Sequence, residues 1–198
     1  SILAADFSQL GEQIRIIDEA GAQYVHIDVM DGEFVPNYAL GTDFIKQLKN
    51  SVDIPLDIHL MIDNPDLKIN YLPFSKGDIV SVHFETSKHL QRTITEIKKR
   101  EAKAFVAINP STPLSSLEEV LDDIDGVLIM TVNPGFAGQK LVEGSLDKIE
   151  RMRKLLDARG LSHVEIEVDG NCSFENVPKM YKAGADIFVT GTSSTFHK

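Results

Sequence analysis

The sequence predicts an α/β fold of the (β/α)8 TIM-barrel class, a single domain over residues 1–198 that is cut short at both ends and lacks its last helix. Three observations lead there. Short apolar runs rich in β-formers recur at fairly regular intervals, and amphipathic stretches with helical spacing lie between most of them. A weak internal echo repeats the junction between the two. "EAGAQYVHIDV" at 19–29, "KAGADIFVTG" at 182–191 and, more loosely, "SKGDIVSVHF" at 75–84 each stop a helix at glycine and enter a strand a residue or two later. Finally, several runs put aliphatic side chains on one parity and charged or imidazole side chains on the other. A barrel can use that pattern, because one strand face meets the helices and the other meets the axis.

Taken in order, the expected strands are 1–3, 24–29, 56–62, 79–84, 104–109, 126–132, 164–169 and 186–191. The first, "SIL", is short. In "FSQLGEQIRIIDEAG", Leu10, Ile14 and Ile17 repeat at three and four, which predicts a helix. In 24–29, Val25, Ile27 and Val29 face the helices while His26, Asp28 and Met30 point inward. In "LDIHLMI", Ile58, Leu60 and Ile62 face out while Asp57, His59 and Met61 face in. His83 shares inward parity with Ser81 and Glu85, and no motif gives it more than a structural or supporting place. Leu146, Ile149, Met152, Leu155 and Leu156 predict a helix from near Ser145 to before Gly160. In "VEIEVDG", Val164, Ile166 and Val168 face out. Glu165, Glu167 and Asp169 face in, the two glutamates deeper and suited to pairing with core polar groups. His89, His163 and His197 read as surface or loop positions. The competing arrangement is an open doubly wound sheet, and no Gly-x-Gly-x-x-Gly opens an early helix to support it.

Composition narrows the function. The apolar share of 42% and charged share of 25% are those of an ordinary globular protein. A net charge of −10 argues against nucleic acid or an anionic membrane as a partner held by general electrostatics. One cysteine, Cys172, allows no intrachain disulfide, and no apolar run approaches a membrane span. The expected location is cytoplasmic.

Asp28, His59 and Asp169 fall near the C-terminal ends of their strands, where barrel enzymes keep their sites. Buried carboxylates need compensation. With His26 they form a plausible site for one divalent metal ion, and two imidazoles with two carboxylates suit Zn foremost, or Fe, Mn or Co. Two loops add glycines and small polar residues: "MTVNPGFAGQ" at 130–139 and "VTGTSS" at 189–194, with "DGN" at 169–171. Backbone N–H groups in such loops can cradle a phosphate without lysine.

"SILAADF", "VHIDVMDGEFVPN", "LDIHLM", "NPSTPL", "MTVNPGFAGQ" and "EVDG", in that order and over nearly the whole chain, resemble the signature segments of the ribulose-phosphate 3-epimerases. The resemblance implies a (β/α)8 barrel, a divalent metal, a sugar phosphate substrate and assembly into a dimer or hexamer. It implies metal ligands His26, Asp28, His59 and Asp169, and an acid/base pair Asp28 and Asp169. It places Ser1 and His59 on the substrate, with Met30, Met61 and Met130 lining the reacting centre. Gly135, Phe136, Ala137, Gly138, Gly170, Asn171, Gly191 and Thr192 would complete the binding loops. Some positions depart from the commonest pattern. Ala137 stands where Gly is usual, Asn171-Cys172 follows Asp-Gly, and Gly191-Thr192-Ser193 replaces a shorter Gly-Ser. These look more like the allulose-6-phosphate 3-epimerase branch. The implied reaction is epimerisation at C3 of a ketose phosphate through an enediolate. A non-catalytic phosphate-binding barrel is the alternative from another class.

Overall fold

The structure is a computed structural model that describes residues 1–196; His197 lies outside the described residues. Its centre is a curled sheet of β1 (Val25–Asp31), β2 (Tyr38–Ala39), β3 (Leu56–Met61), β4 (Ile79–His83), β5 (Lys103–Ile108), β6 (Gly126–Met130), β7 (Glu165–Asp169) and β8 (Ile187–Val189). Strands β1 and β3 to β8 pair in parallel in sequence order, and β2 is a two-residue antiparallel addition to the end of β1. Around the sheet lie α1 (Leu10–Glu19), α2 (Thr42–Lys49), α3 (Pro65–Lys68), α4 (Leu90–Lys99), α5 (Ser145–Ala158) and α6 (Val177–Ala183). Between β5 and β6 the connection holds only the 3-10 turn Leu114–Leu117. After β8 the described residues turn and form no helix.

One expected strand is absent. Residues 1–3 do not join the sheet; Ile2–Ala4 is a 3-10 turn. Ser1 sets it, because its hydroxyl accepts from the Leu3 N–H at 3.3 Å and caps the turn. Its backbone nitrogen donates to the Thr190 carbonyl just past β8, and its hydroxyl donates to Asp28 on β1 at 2.6 Å. Ser1 thus bridges β8 and β1 at the mouth. The strand β2 was not expected, since two residues carry no periodicity.

Parity reads as anticipated. Val25, Ile27, Ile58, Leu60, Ile166 and Val168 belong to one apolar cluster with helix residues such as Ile94, Ile97, Ile149 and Met152. Met30 and Met61 fall in a separate cluster on the axis side, and Leu128 and Met130 in another. Each fully buried aliphatic side chain contributes roughly 1.5–3 kcal/mol. A one-residue slip of β1 would forfeit several of these and push His26 and Asp28 into the apolar layer, so the register is firmly specified. Phe105 fills the axis lower down, and a Cβ on Gly126 would meet its ring at 2.3 Å.

Candidate active site

The inward ends of β1, β3 and β7 converge. In the β1–β3 ladder Asp28 lies opposite His59, and in the β6–β7 ladder Met130 lies opposite Asp169. His26 Nε2 is 3.3 Å from Asp28 Oδ1 and 3.9 Å from Asp169 Oδ2. His59 Nδ1 is 3.2 Å from Asp28 Oδ1 and 3.5 Å from Asp169 Oδ2. All four donor atoms lie within 4.8 Å of one another. Four ligands placed tetrahedrally at the ~2.0–2.1 Å bond length of zinc to nitrogen or oxygen lie ~3.3 Å apart. The observed separations fall close to that spacing, so the side chains present fit a single cation.

The electrostatics agree. Burial works against charge on His26 and His59, yet the surrounding carboxylates outweigh it and raise both pKa values, His26 well above its usual range. Burial alone would raise the Asp28 pKa, but His26 and then His59 drive it well below the carboxylate range. The cluster pulls positive charge onto its imidazoles, a demand that a divalent ion would meet.

Beneath it lies a second buried group. His26 Nδ1 bonds Asp57, and Glu167 Oε1 is 3.7 Å from the same nitrogen. Glu167 is fully buried, and burial and then Asp57 push its pKa well above the usual range, which keeps it neutral. It lies inward among core polar groups, as its parity suggested, although neither carboxyl oxygen makes a hydrogen bond. Glu165 differs: it is partly exposed at the opposite end of the strand and pairs with Lys103 at 2.7 Å.

Above the cluster opens a cleft. Its walls include Ser1, Met30, Met61 and Met130, with Asp28 and Asp169 at its base. The glycine loops line its far side through Gly135, Phe136, Ala137, Gly138, Gly170, Asn171, Gly191 and Thr192. Every residue expected at the site therefore lies on the cleft, except His26 and His59, which sit buried below it. Asn171 is already engaged: its Nδ2 donates to the Gln139 carbonyl at 2.7 Å and its Oδ1 accepts from Asn176 at 2.9 Å. What it offers the cleft is chiefly backbone. Gln139 in turn donates to the Asn133 and Phe136 carbonyls, and Asn37 Nδ2 to the Gly135 carbonyl at 2.9 Å. Neither Gln139 nor Asn37 was anticipated, since loop-bracing amides carry no sequence pattern. His89 and His163 are exposed, as expected.

His83 takes the inward, supporting place expected of it, and Glu85 backs it. His83 Nε2 is 2.9 Å from His59 Nε2, and His83 Nδ1 is 3.0 Å from Glu85 Oε2. Burial lowers the His83 pKa to about 4. The shared parity of His83 and Glu85 was the available signal.

A cation-compatible cluster with paired carboxylates at the C-terminal mouth of a parallel barrel defines the class: a barrel enzyme working on a small polar molecule. Comparison with known proteins narrows it. The family described as "Ribulose-phosphate 3 epimerase family" matches residues 1–195, and the chain belongs to that family. It is 46% identical over 193 residues to the ribulose-phosphate 3-epimerase of Bacillus subtilis, covering 98% of this chain and 89% of that one. It is 46% identical over 195 residues to the chloroplastic ribulose-5-phosphate-3-epimerase of Arabidopsis thaliana, covering 98% of this chain and 69% of that one. Among solved structures, a variant tryptophan synthase alpha-subunit from Pyrococcus furiosus superposes with a TM-score of 0.67 at 14% identity, covering 96% of this chain and 84% of that one. A 3-hexulose-6-phosphate synthase does so with 0.52 at 17%, covering 84% of this chain and 89% of that one. At such identities the likeness concerns the fold alone. The chain is an epimerase, of the isomerase class, and the non-catalytic barrel alternative gives way.

Proposed function

We propose that this chain interconverts D-ribulose 5-phosphate and D-xylulose 5-phosphate by moving a proton at C3. The observation that carries the reading is the pair of carboxylates, Asp28 and Asp169, held in one cluster at the base of the cleft. Inversion needs a proton taken from one face of the carbon and another delivered to the opposite face. Asp28 is held ionised by its imidazole neighbours, and Ser1 orients it by donating to Oδ2. It is the base for one epimer. Asp169, from the other side of the cluster, supplies the proton to the planar enediolate, and the roles reverse in the back reaction. Met30, Met61 and Met130 cover the reacting carbon with soft apolar surface that excludes water and tolerates a planar species. A divalent cation, zinc by the near-tetrahedral donor spacing, supplies Lewis-acid stabilisation of the developing negative charge when held by His26, Asp28, His59 and Asp169. The backbone of the 135–138, 170–171 and 191–192 loops receives the phosphate.

The test substitutes Asp28→Asn and Asp169→Asn. Each loses turnover by about 10²–10⁴-fold, the usual worth of a positioned acid or base. Wild type exchanges the C3 hydrogen with deuterated solvent and each variant loses exchange from one epimer. Unimpaired turnover in either variant overturns the assignment. Rates on allulose 6-phosphate, measured beside those on ribulose 5-phosphate, decide the sugar; a preference for the longer one places the chain with the allulose branch. We also read the enzyme as cytoplasmic, from its acidic composition and single buried thiol, and as a dimer or hexamer, from its family.

A further inference from the structure

The two histidines of the cluster present opposite nitrogens to it. His26 turns Nε2 inward while Nδ1 bonds Asp57; His59 turns Nδ1 inward while Nε2 meets His83. A neutral imidazole carries one proton, so the nitrogen facing a cation must be the bare one. For His26 a carboxylate on the other nitrogen settles this directly. For His59 the partner is another imidazole, which can donate or accept, so something further out must set the direction.

Glu85 does so. Its Oε1 accepts from the Asn109 N–H at 2.7 Å and from the Thr112 hydroxyl, and its Oε2 faces His83 Nδ1. An ionised carboxylate can only accept, and these contacts hold the Glu85 pKa at about 2 despite the burial that opposes it. His83 Nδ1 therefore carries the proton. His83 Nε2 is then the lone pair, and the short contact at 2.9 Å requires the intervening hydrogen to belong to His59 Nε2. That leaves His59 Nδ1 bare toward Asp28 and Asp169. We infer that His83 and Glu85 are positioning residues that fix the His59 tautomer and so hold Nδ1 ready for the cation. The inference rests on the metal-site reading above. Without an acceptor at its Nε2, buried His59 would place its proton on Nδ1, where two carboxylates would accept it and the cation would be displaced.

A packing role makes a different prediction. The His83 ring stacks on His59 at 5.1 Å between centroids and packs against Phe34 at 4.6 Å. His83→Phe keeps that ring volume and removes the acceptor; His83→Gln loses the ring but can accept from His59 and donate to Glu85. The metal-stripped proteins are titrated with Co(II) and Zn(II) against a chromophoric chelator, without substrate, and their melting temperatures are recorded. The expected result is about a 10–100-fold weaker affinity for His83→Phe, the usual effect of losing an outer partner of a metal ligand, with His83→Gln close to wild type. Tight binding by His83→Phe overturns the inference in favour of packing, and weak binding by both variants overturns it too. If His83→Phe does not fold, Glu85→Ala decides in the same titration: unchanged affinity overturns the proposal, and weakened affinity supports it. If wild type binds neither ion, the metal-site reading itself fails, which is a separate result.

Discussion

Gly170 follows Asp169 with φ +123, a backbone setting that L side chains rarely adopt. A Cβ there would lie 2.6 Å from Val132 Cγ2 and 2.8 Å from the Val132 backbone nitrogen. The neighbouring backbone cannot drift away easily, because Thr131 N donates to the Asp169 carbonyl at 2.8 Å and the Thr131 hydroxyl reaches the Gly170 carbonyl. Gly170→Ala is therefore expected to destabilise by on the order of 3 kcal/mol, from strain and overpacking together. The displacement passes to the adjoining carboxylate, so affinity for a divalent cation should fall as well. Urea unfolding and a chelator competition measure the two effects. Stability within error of wild type, with unchanged affinity, would show that the loop has slack and that Asp169 is not held from this side.

Between elements, Asp31 at the end of β1 is the tie that shapes the mouth. One oxygen accepts from the Glu33 and Phe34 N–H groups at 3.0 and 3.2 Å, the other from the Asp63 N–H and Lys68 Nζ at 2.8 and 2.9 Å. Burial opposes its ionisation slightly, but Lys68 and these backbone donors bring its pKa down to about 2 from a usual 3.8. A depressed carboxylate adds stability above its unfolded pKa and loses it as pH falls through its folded one. The contribution is thus complete above about pH 4 and fades toward pH 2. Asp31→Asn should melt with a shallower pH dependence in that window and little difference in slope above it; parallel curves would refute the tie. The same scale shows what could be read in advance. Strands such as 24–29 and 56–62 were legible because aliphatic and polar side chains alternate over a full element. The clustering of His26, Asp28, His59 and Asp169 was legible because parity and position along the strand fix both direction and depth. Residues 1–3 misled because two apolar residues after a serine fit a strand or a turn, and Ser1, by bonding Leu3, Thr190 and Asp28, selects the turn. The chain from Glu85 to His59 was invisible because its meaning lies in which nitrogen holds a proton, and that depends on Asn109 and Thr112 arriving from another loop.

Across the whole molecule, the cluster joins strands on either side of the β8–β1 junction. Strands β1 and β7 flank the seam, with β8 and residues 1–4 between them, and no ladder joins β8 to β1 among the described residues. A cation held jointly by His26 and Asp28 on β1, His59 on β3 and Asp169 on β7 ties both sides of that seam together. Binding to the folded state alone stabilises by about 2.7 kcal/mol at a hundredfold excess over Kd. For a chain of this size that raises the melting temperature by roughly 5–10 °C. The gain should not be uniform. Local openings that separate β8 from β1 must break the cation site, whereas openings near β5 on the far side need not. Hydrogen exchange of the metal-loaded and chelator-treated protein is expected to show the largest loss of protection at residues 2–4 and 187–189, and the smallest at 103–108. Equal loss everywhere would mean that the ion stabilises only through global unfolding and does not hold the seam.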